Sequence, residues 1–143
     1  MGAAKGRIDR FLCDRNLGHR VPAALAERGW NVERHDDHFA QDASDELVLR
    51  AVAERGWVFL TQDRKIRTRG PERRILLDYG VRTVSIASTA NLSATTTIAT
   101  LVAAERAIFA AVAVERPPFI LAVYKNGSLR RLDLGEADAV ARG

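Results

Sequence analysis

Apolar positions in this chain follow two rhythms. Short runs that are apolar at nearly every position alternate with longer stretches in which apolar residues recur every three or four positions. That alternation predicts buried strands laid between amphipathic helices, a βαβ architecture with right-handed crossovers. The first strand is expected at about Phe11 to Cys13, and the helix after it carries Leu17, Val21 and Leu25 at four-residue spacing. Pro22 is tolerable there only near the first turn, and Gly29 is a natural stop. Trp30 to about Arg34 alternates apolar and polar residues, as an edge or half-exposed strand does, and runs into His35-Asp36-Asp37-His38.

A second helix is expected from Ser44 or Asp45, burying Val48, Ala51 and Val52 and ending at Gly56. Gly56-Trp57 repeats the Gly29-Trp30 punctuation and marks two successive αβ units. Trp57-Val58-Phe59-Leu60 is apolar on both faces, the mark of a central parallel strand, and delivers Thr61 and Asp63 to its carboxyl end. Beyond a basic stretch come a short helix from Pro71 to Gly80, a fourth strand around Val81 to Ile86 and a polar loop. One long helix is then predicted from about Ser93 to Glu115, with Ile98, Leu101, Val102, Ile108, Phe109 and Val112 on one stripe and Pro117-Pro118 ending it. Phe119 to Tyr124, Asn126-Gly127 and Ser128 to Leu134 read as a β-hairpin. No linker or repeat divides the chain, so residues 1–143 are expected to form one domain with flexible ends at about 1–7 and 135–143.

Composition agrees with that picture: 143 residues, 47% hydrophobic and 28% charged, describe an ordinary globular domain rather than a disordered chain. The least polar stretch, Ile98 to Val114, is interrupted by Glu105 and Arg106, and the N-terminus lacks an apolar targeting segment, so a cytoplasmic, membrane-free protein is expected. The single cysteine, Cys13, cannot form an intramolecular disulfide. It is either a nucleophile or a small core residue within Phe11-Leu12-Cys13. The net charge of +4 is unevenly spread. Arg64, Lys65, Arg67, Arg69, Arg73 and Arg74 face only Glu72 within their stretch, while Asp36, Asp37, Asp42, Asp45 and Glu46 crowd together. A basic rim around an acidic centre suits a polyanion beside a metal; a solvated basic face is the plainer reading.

Sites in open α/β sheets form outside the carboxyl ends of the strands. Three carboxylate positions meet that rule separately: Asp14 after the first strand, Asp36 or Asp37 after the second, and Asp63 after the third, with Asp45 at the start of the intervening helix. So many carboxylates in a low-dielectric cleft repel unless a cation neutralises them. Hard oxygen donors select Mg²⁺ or Mn²⁺, which can activate water and stabilise phosphoryl oxygens, so phosphodiester hydrolysis is the chemistry implied. Taken singly, Asp45 could equally cap its helix, and Asp14 and Asp63 could shape turns. Thr61 is the candidate supporting hydroxyl, for a ligand carboxylate or for a water on the metal. Arg64, Lys65 and Arg67 could hold substrate phosphates or pair with Glu72 or Asp78. A zinc site of His35 and His38 with Asp36, Asp37 or Cys13 matches no usual spacing, and His19 is expected at the surface.

The stretch Asp45-Glu46-Leu47-Val48-Leu49-Arg50-Ala51-Val52-Ala53-Glu54-Arg55-Gly56, followed by Trp57-Val58-Phe59-Leu60-Thr61-Gln62-Asp63, resembles the second half of a PIN domain. Phe11-Leu12-Cys13-Asp14-Arg15-Asn16-Leu17-Gly18 resembles its first strand with the aspartate that follows. With His35-Asp36-Asp37-His38-Phe39, Asp63-Arg64-Lys65-Ile66-Arg67 and the Pro118-Phe119-Ile120 hairpin, the chain from Arg10 to Leu132 is similar to the compact PIN-like branch of VapC-type toxins. The resemblance implies a three-layer α/β/α fold with a mostly parallel sheet and a C-terminal hairpin. It also implies a Mg²⁺-dependent endoribonuclease, the toxin of a type II toxin–antitoxin pair, held by a cognate antitoxin and often a homodimer. Asp14, Asp45 and Asp63 match the family's metal-binding acids, and Arg15 joins Arg64, Lys65 and Arg67 as candidate RNA contacts. The glutamate that the usual PIN fold places on a helix between Asp14 and the Asp45 position is missing, and Asp37, Asp36 or Glu46 could substitute. The rival readings are a metal-dependent phosphatase or DNA nuclease on the same acids, and an inactive RNA-binding or regulatory module that kept the fold.

Overall fold

The computed structural model describes residues 9–67, 71–88 and 92–134; the ends expected to be flexible, 1–7 and 135–143, and Arg69 of the basic stretch lie outside them. Six strands form one sheet: β1 (Arg10–Cys13), β2 (Asn31–Arg34), β3 (Val58–Thr61), β4 (Arg82–Ile86), β5 (Phe119–Val123) and β6 (Leu129–Arg131). Their spatial order is β2-β1-β3-β4-β5-β6, parallel throughout except for the antiparallel β5–β6 pair. β2 therefore lies at the edge and β3 inside, as their polar patterns predict. The helices are α1 (Arg20–Glu27), α2 (Asp45–Arg55), α3 (Arg64–Arg67), α4 (Pro71–Tyr79), α5 (Ala94–Ala103) and α6 (Glu105–Val114).

Strand pleating separates the core into two halves. Phe11, Cys13, Val58, Leu60, Val84, Ile86, Phe119 and Leu121 face one side, packed with Val21 and Leu25 of α1, Leu101 of α5, and Ile108 and Val112 of α6. Leu12, Phe59 and Ile120 face the other, with Val48, Leu49 and Val52 of α2, Ile66 of α3 and Leu76 of α4. The architecture is thus α/β/α in three layers around a mostly parallel sheet, with a hairpin at its C-terminal edge.

Four details depart from the sequence reading. Leu17 sits in a 3₁₀ turn, Arg15–Leu17, and Gly18 at φ 73° separates that turn from α1. A left-handed residue ends the turn, and the helix restarts at Arg20 so that Pro22, which lacks an N–H, falls in its first turn. The basic stretch after Asp63 begins with the unpredicted short helix α3. The β5–β6 loop is longer than a two-residue Asn-Gly turn: Gly127 N–H bonds Tyr124 O, Tyr124 N–H bonds Ser128 O, and Gly127 takes φ 87°. This is a turn with a left-handed glycine appended, the three-residue hairpin solution.

The fourth departure is the largest. The long helix expected from Ser93 to Glu115 is two helices, α5 and α6, bent by 63° at Ala104. Neither proline nor glycine stands at the break. Its partners are tertiary: Ala104 is buried, and a Cβ on Gly127 would come within 3.2 Å of Ala103 O. Glu105, opening α6, accepts bonds from the indole N–H of buried Trp30 at 2.8 Å and from Arg28 at 2.9 Å. Trp30 in turn packs against Phe11 and, edge-on, against Phe109, with ring centroids 5.1 and 4.9 Å apart. No single described helix is long and apolar enough to cross a membrane.

Glu105→Ala would leave the Trp30 indole N–H buried without an acceptor, a loss of about 1–3 kcal/mol. Urea unfolding should show an unfolding free energy lowered by that amount; a change below about 0.5 kcal/mol, the range of ordinary surface substitutions, would mean that Glu105 does not anchor the bend.

Candidate active site

The chain runs from β1 outward to β2 and then crosses back to β3 on the other side of β1. This reversal opens a crevice beyond the carboxyl ends of β1 and β3, the place where α/β sheets bind ligands. Cys13 is paired with Leu60 in register, so Asp14 and Thr61 are the next residues on their two strands. The ladder continues to that point, with Asp14 N–H bonding Leu60 O at 2.9 Å. By the two-residue period, Asp14 and Thr61 share the face of Leu12 and Phe59, the face covered by α2.

Ser44 caps α2 by accepting the Leu47 N–H at 3.1 Å. The capping role considered for Asp45 is therefore Ser44's, and Asp45 is the first helical residue, where the helix dipole favours an anion. Asp63 follows β3, its N–H bonding the Thr61 hydroxyl oxygen at 3.0 Å. That hydroxyl donates to Asp14 Oδ2 at 2.6 Å and accepts from Asn16 Nδ2 at 3.3 Å. Thr61, itself fully buried, thus ties the two strand ends and orients the Asp14 carboxylate.

The three aspartates line one cleft of about 420 Å³, counted to its open mouth, together with Arg15, His35 and Glu72 and an apolar wall that includes Val48, Leu49, Phe59 and Ile66. Burial pushes the Asp14 carboxyl above the ordinary carboxylate range. The Thr61 hydroxyl and the Arg15 N–H pull it partly back, and the charges of Asp63 and Asp45 push it up again. Among the described residues, no three His, Cys, Asp or Glu side chains close onto a common point tightly enough to chelate an ion as they stand. The donor set still fits a hard cation: carboxylate oxygens, with Asp45 at a helix N-terminus and the Asp14 carboxyl raised by burial and then by its acidic neighbours.

Other predicted site residues lie elsewhere. Glu46 accepts the Tyr79 hydroxyl at 2.8 Å on the surface, outside the cleft lining. Asp36 and Asp37 occupy a 3₁₀ turn, His35–Asp37. Asp36 lines an adjoining cavity with Cys13, Asp14, Arg15, His19, Arg34 and His35, and Asp37 is exposed. Arg15 borders both cavities and donates to Gln41 O. Arg67 donates to Ser85 Oγ, Ile86 O and Ser88 O, which ties α3 to the end of β4. Arg64 and Lys65 occupy α3 beside Asp63, with side chains outside those described. His38 bonds Glu33 at 2.7 Å and packs edge-on against Trp57, and His19 is exposed at the entry to α1. Cys13 is buried, its thiol pushed up to about 12 by burial and the Asp14 charge, so at neutral pH it is a core residue and not a nucleophile. Glu72, read from sequence only as a counter-charge in a basic stretch, is the cleft carboxylate that sequence reasoning missed.

Residues 10–88, more than half of the chain and all of the cleft residues, match the family model described as "PIN like domain". The chain belongs to the PIN-like domain family. Over 80 residues it is also 35% identical to the protein named "Putative ribonuclease VapC45" of Mycobacterium tuberculosis, a match spanning 52% of this chain and 58% of that relative. No solved structure matches it significantly. The PIN-like match runs from β1 through β4, the part of the sheet that builds the cleft, and leaves α5, α6 and the hairpin outside it.

A raised Asp14 pKa has a definite sign in stability. Between the unfolded value, 3.8, and the higher folded value, the folded chain holds more protons than the unfolded one. Stability contributed by this group therefore falls as pH rises through that window and stays low above it. Asp14→Asn should melt at a higher temperature than wild type at pH 7 in chelator, and the difference should vanish below about pH 4. Equal or lower melting of the variant at pH 7 would contradict the repulsion described here.

Proposed function

We propose that this PIN-like protein is a metal-dependent endoribonuclease, the toxin of a type II toxin–antitoxin pair, with Asp14, Asp45 and Asp63 as ligands of a Mg²⁺ or Mn²⁺ ion. The observation that carries the reading is the convergence of these three aspartates, from three separate elements, on one cleft with a raised Asp14 carboxyl. The family relation and the VapC45 name point to RNA rather than another phosphate ester.

When bound, a divalent cation would lower the pKa of water and offset charge developing on a phosphoryl oxygen. The chain's own residues do the rest. Thr61 fixes the Asp14 carboxylate through its hydroxyl, and Asn16 holds Thr61 from the other side. Val48, Leu49, Phe59 and Ile66 keep one wall dry, which strengthens every charge interaction in the cleft. Arg15 at the cleft edge provides positive charge for a substrate phosphate. Arg64 and Lys65, next in the chain after Asp63, are proposed as further phosphate contacts. Hydrolysis adds water to phosphorus and releases one ribose oxygen. Arg67, engaged with the end of β4, positions α3 and thereby the residues that follow Asp63. A cognate antitoxin would be expected to cover the cleft, and assembly as a homodimer in the cytoplasm completes the proposal.

The test is cleavage of labelled RNA in Mg²⁺ by wild type, Asp14→Asn and Asp63→Asn, alongside DNA and a phosphomonoester. Each variant should lose at least about 100-fold in rate, since loss of even an outer partner of a metal ligand costs 10–100-fold. Unchanged cleavage in both variants would remove this site. Cleavage of DNA or the monoester instead would favour the phosphatase or DNA nuclease reading, and tight RNA binding without cleavage would favour a binding module.

A further inference from the structure

The usual PIN cleft has a fourth carboxylate on a helix between the first two aspartates. Here the chain from Asp14 to Asp45 supplies only α1, β2 and two 3₁₀ turns, and α1 packs on the opposite face of the sheet. The three acids considered for the vacancy lie outside the cleft lining, with Glu46 engaged by Tyr79. Glu72 does line it, reaching the cleft from the first turn of α4, downstream of Asp63 rather than upstream of Asp45.

Its environment is unusual for a structural glutamate. Glu72 Oε1 is buried and has no hydrogen-bond partner, in the same cleft as three other carboxylates. A buried carboxylate oxygen without a donor carries a desolvation cost. A second group in that lining is also unsatisfied: His35 is 6% exposed, and its Nδ1 lacks a hydrogen-bond partner, with Asp36 Oδ1 3.5 Å away. The open Glu72 oxygen is an acceptor that a bound cation would satisfy, and His35, whose Nδ1 faces Asp36, lines the same cleft.

We propose that Glu72 is the fourth carboxylate of this cation site, replacing the missing helix glutamate from the far side of the aspartate set. The proposal rests on the reading of Asp14, Asp45 and Asp63 as cation ligands. Pro71 starts α4 one residue before Glu72, which fixes the backbone at the point where the side chain enters the cleft. Packing of Leu76 of α4 with Val48, Leu49 and Val52 of α2 holds that turn against the helix carrying Asp45. The arrangement gives the site two first-turn acids from two helices and two strand-end acids from β1 and β3.

Calorimetric titration of the full chain with MnCl₂, with no RNA present, tests this apart from activity. Glu72→Gln should weaken Mn²⁺ binding by about 10–100-fold, whereas Glu46→Gln and Asp37→Asn should leave it unchanged. Metal-free melting of Glu72→Gln should be equal to or above that of wild type, because an unsatisfied anion has been removed. Glu72→Ala, the second variant, should lose affinity to the same degree. Wild-type affinity in both Glu72 variants, with binding lost in Asp63→Asn, would overturn the assignment of Glu72 and leave the aspartate site standing. No Mn²⁺ binding by wild type would overturn both.

Discussion

Carboxylates brought to one cleft by separate elements are the constraint on which this structure turns. Asp14 follows a buried strand, Asp45 opens a helix and Asp63 follows the neighbouring strand, so the backbone path leaves none of them free to move far apart. Among the described residues, the acids line the cleft without closing on a common point. The remaining strain appears as a carboxyl on Asp14 that resists ionisation, first through burial and then through its two acidic neighbours. A bound divalent cation, as proposed, would offset the burial and repulsion of these carboxylates.

The rest of the fold serves to impose that proximity. The reversal of strand order at β1 and β3 creates the crevice, and the register that pairs Cys13 with Leu60 sets Asp14 beside Thr61. One hydroxyl then bridges both strand ends, bonded to Asp14, Asn16 and the Asp63 backbone. On the far side of the sheet, the aromatic cluster of Phe11, Trp30 and Phe109 and the Glu105 anchor stabilise β1 from behind. The site is thus supported by a core that lies on the other face of the strand that carries it.

Much of this was legible in the sequence because it depends on period and punctuation. Apolar runs, the Gly-Trp pairs and Pro71 placed the first five strands and the helices starting at Asp45 and Pro71 within a residue or two, and strand ends located Asp14 and Asp63. What could not be read was tertiary. The bend at Ala104 coincides with Glu105 bonding Trp30, a partner 75 positions away, within a stretch whose own residues favour an unbroken helix. Glu72 stood among arginines in the sequence and looked like their counter-ion, whereas α4 carries it to the cleft. Arg67, expected to face substrate, is committed to carbonyls at the end of β4, a use that no local pattern announces.

The ionisation of the Asp14 carboxyl group can be read directly. Carbon-detected NMR titration of the Asp14 side chain, with and without Mg²⁺, reports its ionisation without reference to any substrate. The account predicts a midpoint above the ordinary aspartate value of 3.8 in chelator and a clear fall when Mg²⁺ is added. An ordinary midpoint in chelator, or one that Mg²⁺ leaves in place, would contradict it.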